Sequence, residues 1–178
     1  MRDFLEFVGF AVLALVVALG VRFFVAEPFI IPSASMTDTL EVGDRLIGEK
    51  LTYRSSDPQV GDIVTFVDPE DSSLTLIKRV VATAGQTVEL VDGKVYVDGE
   101  ELSEPYTHGK PSYPLDSHSS LLAEGISYPY TVPDGCIWVM GDNRTNSQDS
   151  RYFGAVPVSS VTSKAVFVFW PLEHIGTL

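Results

Sequence analysis

The sequence predicts a mostly β domain behind a single N-terminal transmembrane helix, and three observations carry that prediction. Residues 4–26 form one apolar segment, the chain beyond Pro28 falls into short β-branched and aromatic runs, and Asp-Gly pairs and other turn residues separate those runs. The 23-residue apolar segment is interrupted only by Glu6, Gly9, Gly20 and Arg22. At about 1.5 Å per residue it reaches about 35 Å, against a hydrocarbon core about 30 Å thick. A cleavable signal peptide is the rival reading. Against it, Arg2 is the only basic residue ahead of the run, and the run is longer than an h-region of about 7 to 15 residues. Phe24-Val25-Ala26 also puts a bulky side chain where a processing site wants a small one. We therefore expect residues 1–27 to form a short tail and retained anchor, and residues 28–178 a single domain. With Arg2 before the span and Arg22 at its end, charge alone hardly fixes the orientation.

Strands are expected at residues 45–51, 62–67, 74–82, 88–91, 95–97, 136–140 and 164–170. Asp92-Gly93 joins two of them as a hairpin and Asp98-Gly99 marks the next turn, because glycine accepts positive φ. Only residues 120–124 hint at a helix. The pattern predicts a folded-over antiparallel arrangement of more than one sheet. A variable β-rich insertion is expected over about 92–135, and its Ser-, Pro- and Tyr-rich part, 103–131, should set local shape and not chemistry.

Composition removes several function classes. Twelve Lys and Arg stand against 24 Asp and Glu, a net charge of −12, and residues 28–178 alone carry −11. Such a surface repels phosphate backbones, so nucleic acid is not an expected partner. The single cysteine, Cys136, allows no internal disulfide and no cysteine-based metal site, and its apolar setting reads as core. His108, His118 and His174 do not cluster, which argues against a Ser-His-Asp triad or a zinc site. No metal and no cofactor are expected.

Three segments can carry chemistry. In Ser33-Ala34-Ser35-Met36, two hydroxyls flank one alanine, which suits a tight turn where one oxygen attacks and the other helps hold an oxyanion. Ser35 followed by Asp38 also has the form of an N-terminal helix cap. Lys78 lies in an apolar strand, on one face with Leu76 and Val80, while Arg79 shares the other with Ile77 and Val81. Burial would push a lysine from about 10.4 towards the 7 to 8 that suits a general base, whereas arginine stays protonated. A snorkelling or acid-paired lysine is the plainer alternative. Residues 141–151 are small or polar and follow a core strand. They fail as a calcium loop because Arg144 would occupy a ligand position. Ser147 can hydrogen-bond a neutral lysine, and Asp142 and Asp149 can pair with Arg79 and Arg151.

Together these segments resemble the bacterial type I signal peptidases over most of the chain. Residues 29–36 look like the nucleophile box, continued by Thr39-Leu40 and Gly43-Asp44, and Gly61-Asp62-Ile63-Val64 is similar to a recurring strand start. Residues 76–81 resemble the lysine box; Gly141 to Arg151 with Gly154 and Val156-Pro157 resemble the most distinctive stretch, and residues 164–171 the ending. The resemblance implies Ser35 as nucleophile, Lys78 as general base, Ser33 with the Ser35 N–H as oxyanion hole, and Ser147 orienting Lys78. It implies that Phe29, Ile31, Met36, Leu40, Leu76 and Ile77 line pockets for small substrate residues. It also implies preprotein signal peptides with small residues at positions −1 and −3 as substrates, membrane lipid as a partner, and a single-pass place in a bacterial plasma membrane with the domain outside. Three positions depart from the pattern: Asp38 replaces a usual proline, residues 82–86 replace a Gly-x-Pro-Gly-Asp turn, and Thr145 replaces a common aspartate. A membrane-tethered β domain that only binds, and a Ser/Lys self-cleaving protease, remain alternatives.

Overall fold

The structure, a computed structural model, describes residues 2–178; the Arg2 side chain, whose charge entered the orientation argument, lies outside the described part. Helix α1 runs over Arg2–Phe24, and no residue of its apolar stretch Glu6–Phe24 is buried in the rest of the chain. Length and composition alone make it able to cross a membrane. After Val25 the chain is already in strand β1, Ala26–Ile30, so the boundary expected after residue 27 falls inside a strand. Pro28 is tolerated there because β1 is the outer strand of its sheet and pairs on one side only.

The remaining strands are β2 (Arg45–Glu49), β3 (Ile63–Val67), β4 (Thr75–Thr83), β5 (Thr87–Val91), β6 (Lys94–Val97), β7 (Glu100–Glu101), β8 (Tyr130–Thr131), β9 (Cys136–Met140), β10 (Val156–Pro157), β11 (Val161–Trp170) and β12 (Gly176–Thr177). They build two sheets. The larger has the order β1-β2-β11-β3-β4-β9-β10 with β12 added to β11, and the smaller has the order β7-β6-β5-β8. Every pairing is antiparallel. At the β5–β6 turn, Asp92 and Gly93 both take positive φ, +50° and +80°, the geometry a two-residue hairpin needs.

Differences from the sequence reading have local causes. Strand β2 stops at Glu49 because that carboxylate accepts the N–H groups of Leu51 and Thr52 and pulls the chain into a turn. Strand β11 begins three residues before the predicted start, since Val161 to Lys164 pair with β3 while Lys164 onwards pair with β2. Residues 120–124 form a turn followed by bends and not the expected helix. Helix α2, Ser150–Phe153, replaces pure loop in the polar segment, capped by Asp149.

One buried cluster, including Ile31, Met36, Leu40, Leu46 and Ile77, lies beneath the segment that follows β1. A second, with Val64, Phe66, Val80 and Val139, fills the opposite side of β3, β4 and β9. A third, around Trp138, Val88 and Val95, joins the two sheets. Alternation along β4 sends Ile77 to the first cluster and Leu76 and Val80 to the second, which leaves Lys78 pointing with the latter pair.

Candidate active site

Strand β1 delivers the chain through Ile31 and Pro32 into a single 3-10 turn, Ala34–Met36, which carries Ser35. Opposite stands β4, and there the Lys78 Nζ lies 2.8 Å from Ser35 Oγ. Both side chains are buried, Ser35 to 8% exposure and Lys78 to 3%. The amine also donates to the carbonyl of Ile77 at 2.9 Å. Loss of water around Lys78 pushes its pKa down to about 8, against the weaker upward pull of Asp149, Asp68 and Asp142. No carboxylate forms an ion pair with it among the described residues, so its neutral form is within reach near physiological pH.

The polar segment after β9 braces this pair from below. The Asn143 backbone N–H donates to the Ser35 carbonyl at 3.1 Å and its Nδ2 donates to the Ala34 carbonyl at 2.9 Å. Gly141 makes that approach possible: a Cβ there would stand 2.4 Å from the Ser35 carbonyl oxygen and 2.3 Å from Ser147 Oγ. Arg79 grips Asp142 with two bonds, Nε to Oδ1 at 2.8 Å and Nη2 to Oδ2 at 2.7 Å, and Thr39 Oγ1 donates to the same carboxylate at 2.5 Å. Arg151 holds Asp149 likewise, at 2.9 Å from both Nε and Nη2. Burial would raise the Asp149 carboxyl, but Arg151 and the Gly141 N–H outweigh it and keep it below the ordinary carboxylate range.

A cavity of about 440 Å³ opens over the pair, lined by Ser33, Ala34, Ser35, Leu76, Lys78, Asn146, Ser147 and Gln148. Ser33 is exposed at its rim. A separate niche of only about 30 Å³ lies between Phe29, Ile31, Leu76 and Ile77. Strand β9 pairs with β4 only from Arg79 onwards, so along Thr75 to Lys78 the edge of β4 away from β3 has no partner strand among the described residues.

Two expectations need correction. Ser147 makes no hydrogen bond to Lys78 among the described residues: its hydroxyl lies under Gly141 near the Asp149 carboxylate, and the Ile77 carbonyl accepts from the amine instead. Met36 and Leu40 do not line a pocket, since both are wholly buried in the cluster beneath the turn. Their motif is apolar because it anchors the turn from inside. Asn143 had no role assigned from sequence, and neither did Thr39. Both sit in the family-like boxes, but only the fold brings them 109 and 103 residues along the chain to their partners.

The turn after β4, which departs from the family pattern, is closed by Gln86, whose Oε1 accepts the Thr83 N–H at 2.9 Å, with Gly85 at φ +82°. The family model described as signal peptidase, peptidase S26, matches residues 4–170. A probable signal peptidase I-1 of Synechocystis sp. is 45% identical over 180 residues, covering 97% of this chain and 86% of the relative. A signal peptidase I of Leptolyngbya laminosa is 40% identical over 173 residues, covering 93% and 79%. A crystal structure of a signal peptidase I from Enterococcus faecalis matches 61% of this chain and 97% of its own, at 35% identity and a TM-score of 0.49. With a serine and an unpaired buried lysine in contact at the mouth of a cleft, and sequence likeness along nearly its whole length, the chain belongs to the signal peptidase family S26.

Proposed function

We propose that this chain removes N-terminal signal peptides from exported preproteins, with Ser35 as nucleophile and neutral Lys78 as general base. The observation that carries the mechanism is the 2.8 Å contact between Ser35 Oγ and a lysine amine that has lost its water. The amine takes the Ser35 proton as the oxygen attacks the scissile carbonyl carbon. Ser33 Oγ and the Ser35 N–H stabilise the resulting oxyanion. The Lys78 ammonium then protonates the departing amine, leaving an ester on Ser35. Neutral again, Lys78 takes a proton from water as the oxygen attacks the ester carbon, and the ammonium then returns that proton to Ser35 Oγ as the acyl group leaves as a carboxylic acid.

The unpaired backbone edge at Thr75 to Lys78 suits an extended substrate adding as a strand. Alternate side chains of such a strand face one side, which accounts for a preference at positions −1 and −3. The niche of about 30 Å³ beside Phe29, Ile31, Leu76 and Ile77 holds about one methyl group or water, and so favours alanine. Helix α1 sits in a lipid membrane with the domain on the extracytoplasmic side, where Ser35 and a membrane-held signal peptide share one plane. Incubating the detergent-solubilised protein with a preprotein and sequencing the new N-terminus tests the activity. The parent should cut after a small residue, and Ser35→Ala should stay folded, leave the preprotein intact and form no acyl adduct. Cleavage by Ser35→Ala would overturn the assignment.

A further inference from the structure

We propose that residues 104–112 of the insertion are a positioning element for the Ser35–Lys78 pair. The inference rests on the Ser/Lys reading above and revises the expectation that this stretch sets shape alone. Three separate grips run from it to the segment bearing Ser35.

The first passes through Arg144, which is 1% exposed. Its Nη1 donates to Glu104 Oε2 at 2.8 Å and to Ser112 Oγ at 2.7 Å, and its Nη2 donates to Glu104 Oε1 at 2.5 Å. The remaining Nε donates to the Gly141 carbonyl at 3.0 Å, so the insertion fixes the residue that lies directly against the Ser35 carbonyl. The second runs through Tyr106, whose ring centre is 4.0 Å from the Arg79 guanidinium carbon. Arg79 holds Asp142, and Asp142 receives the hydroxyl of Thr39, four residues after the nucleophile. The third is direct: Lys110 Nζ pairs with Asp38 Oδ2 at 2.6 Å and donates to the Thr37 carbonyl at 3.4 Å.

A peripheral loop needs none of these contacts to cover a core. Their shared destination is the backbone from the Ser35 carbonyl to Thr39, and a misplacement of about 1 Å there can cost about 10²-fold in rate. Glu104, Tyr106, Lys110 and Ser112 do not line the cavity over Ser35, so their action is on geometry and not on the reacting atoms.

Lys110 gives the cleanest test, because its side chain is 27% exposed and that of Asp38 44%, so replacing either leaves the core intact. With the full chain in detergent and a preprotein substrate, Lys110→Met should lower kcat about tenfold with KM changed by less than about twofold. Lys110→Arg should keep kcat within about twofold, and the charge swap Asp38→Lys with Lys110→Asp should recover most of the loss. Tyr106→Phe, which keeps the ring over Arg79 and loses only the hydroxyl's 3.0 Å bond to Glu104, should keep kcat within about twofold, whereas Tyr106→Leu should repeat the kcat loss. A Lys110→Met enzyme with unchanged kcat but a lowered melting temperature would overturn the proposal in favour of plain stabilisation. Equal losses in Lys110→Met and Lys110→Arg would overturn it too. Parallel Ser35→Ala and Lys78→Arg samples keep the two readings apart: their activity would sink the Ser/Lys mechanism, whatever Lys110 does.

Discussion

Lys78 and Arg79 are neighbours on one strand, yet the two faces of β4 treat their charges in opposite ways. Arg79 meets a fully buried carboxylate in a two-bond fork, a carbonyl of Gly61 and an aromatic ring. Lys78 is offered a hydroxyl and a carbonyl, with carboxylates only at a distance. A buried cation that is paired marks architecture, because its removal strands the partner. A buried cation left without an acid carries a standing cost that only a use for its neutral form explains.

Changing each residue sharpens that contrast. The largest effect is expected from Lys78→Arg, which keeps a positive charge but forbids a neutral amine. Preprotein cleavage should fall by about 10³-fold or more, and retained turnover would break the distinction between the two faces. Next comes Arg79→Met, which leaves Asp142 buried without its partner and should cost about 4 kcal/mol by denaturant or thermal unfolding. Lys78→Met should do the reverse and stabilise the inactive protein by about 3 kcal/mol, since each tenfold loss of proton affinity on folding corresponds to about 1.36 kcal/mol.

The pH dependence of that gain has a definite sign. Folding lowers the Lys78 pKa from 10.5 to about 8, so between those values the unfolded chain binds more protons and stability rises with pH. The advantage of Lys78→Met is therefore full below about 8 and fades as pH approaches the ordinary lysine value. The same group predicts a rate that drops up to tenfold for each step of one in pH on the acid side of about 8, seen in a pH profile of preprotein cleavage. The smallest effect on this scale is Gly141→Ala, expected to cost about 10²-fold in kcat by driving the Ser35 carbonyl from its place, measured with the same assay.

Much of the molecule was legible in the chain because its signals are local. Period-two runs marked the long strands, Asp92-Gly93 marked a hairpin, and an isolated lysine among Leu76, Ile77 and Val80 stood out against its surroundings. What stayed hidden depends on contacts between distant residues. Strand β1 reads as a linker because Ala26-Glu27-Pro28 has no strand pattern, and only pairing with β2 makes it one. Thr162 and Ser163 are polar enough to pass for loop, yet pairing of Val161, Ser163 and Lys164 with β3 brings them into β11. Apolar type alone did not say which way Met36 and Leu40 face, and they hold the 3-10 turn from inside. The insertion looked dispensable because its Glu104, Tyr106 and Lys110 find their partners 27 to 72 residues away, as with Tyr106 to Arg79 and Lys110 to Asp38.

Strand β1 decides how helix α1 is joined to the domain. Its five residues pair one for one with β2, starting two positions after α1 ends, and they span about 17 Å at about 3.4 Å each. The link between α1 and the turn that carries Ser35 is a strut and not a leash. One residue added within it would invert the side chains that follow in the strand, and two would lengthen the strut by about 7 Å, so with α1 in a membrane as proposed, the height of Ser35 above it is built into the register of a single edge strand.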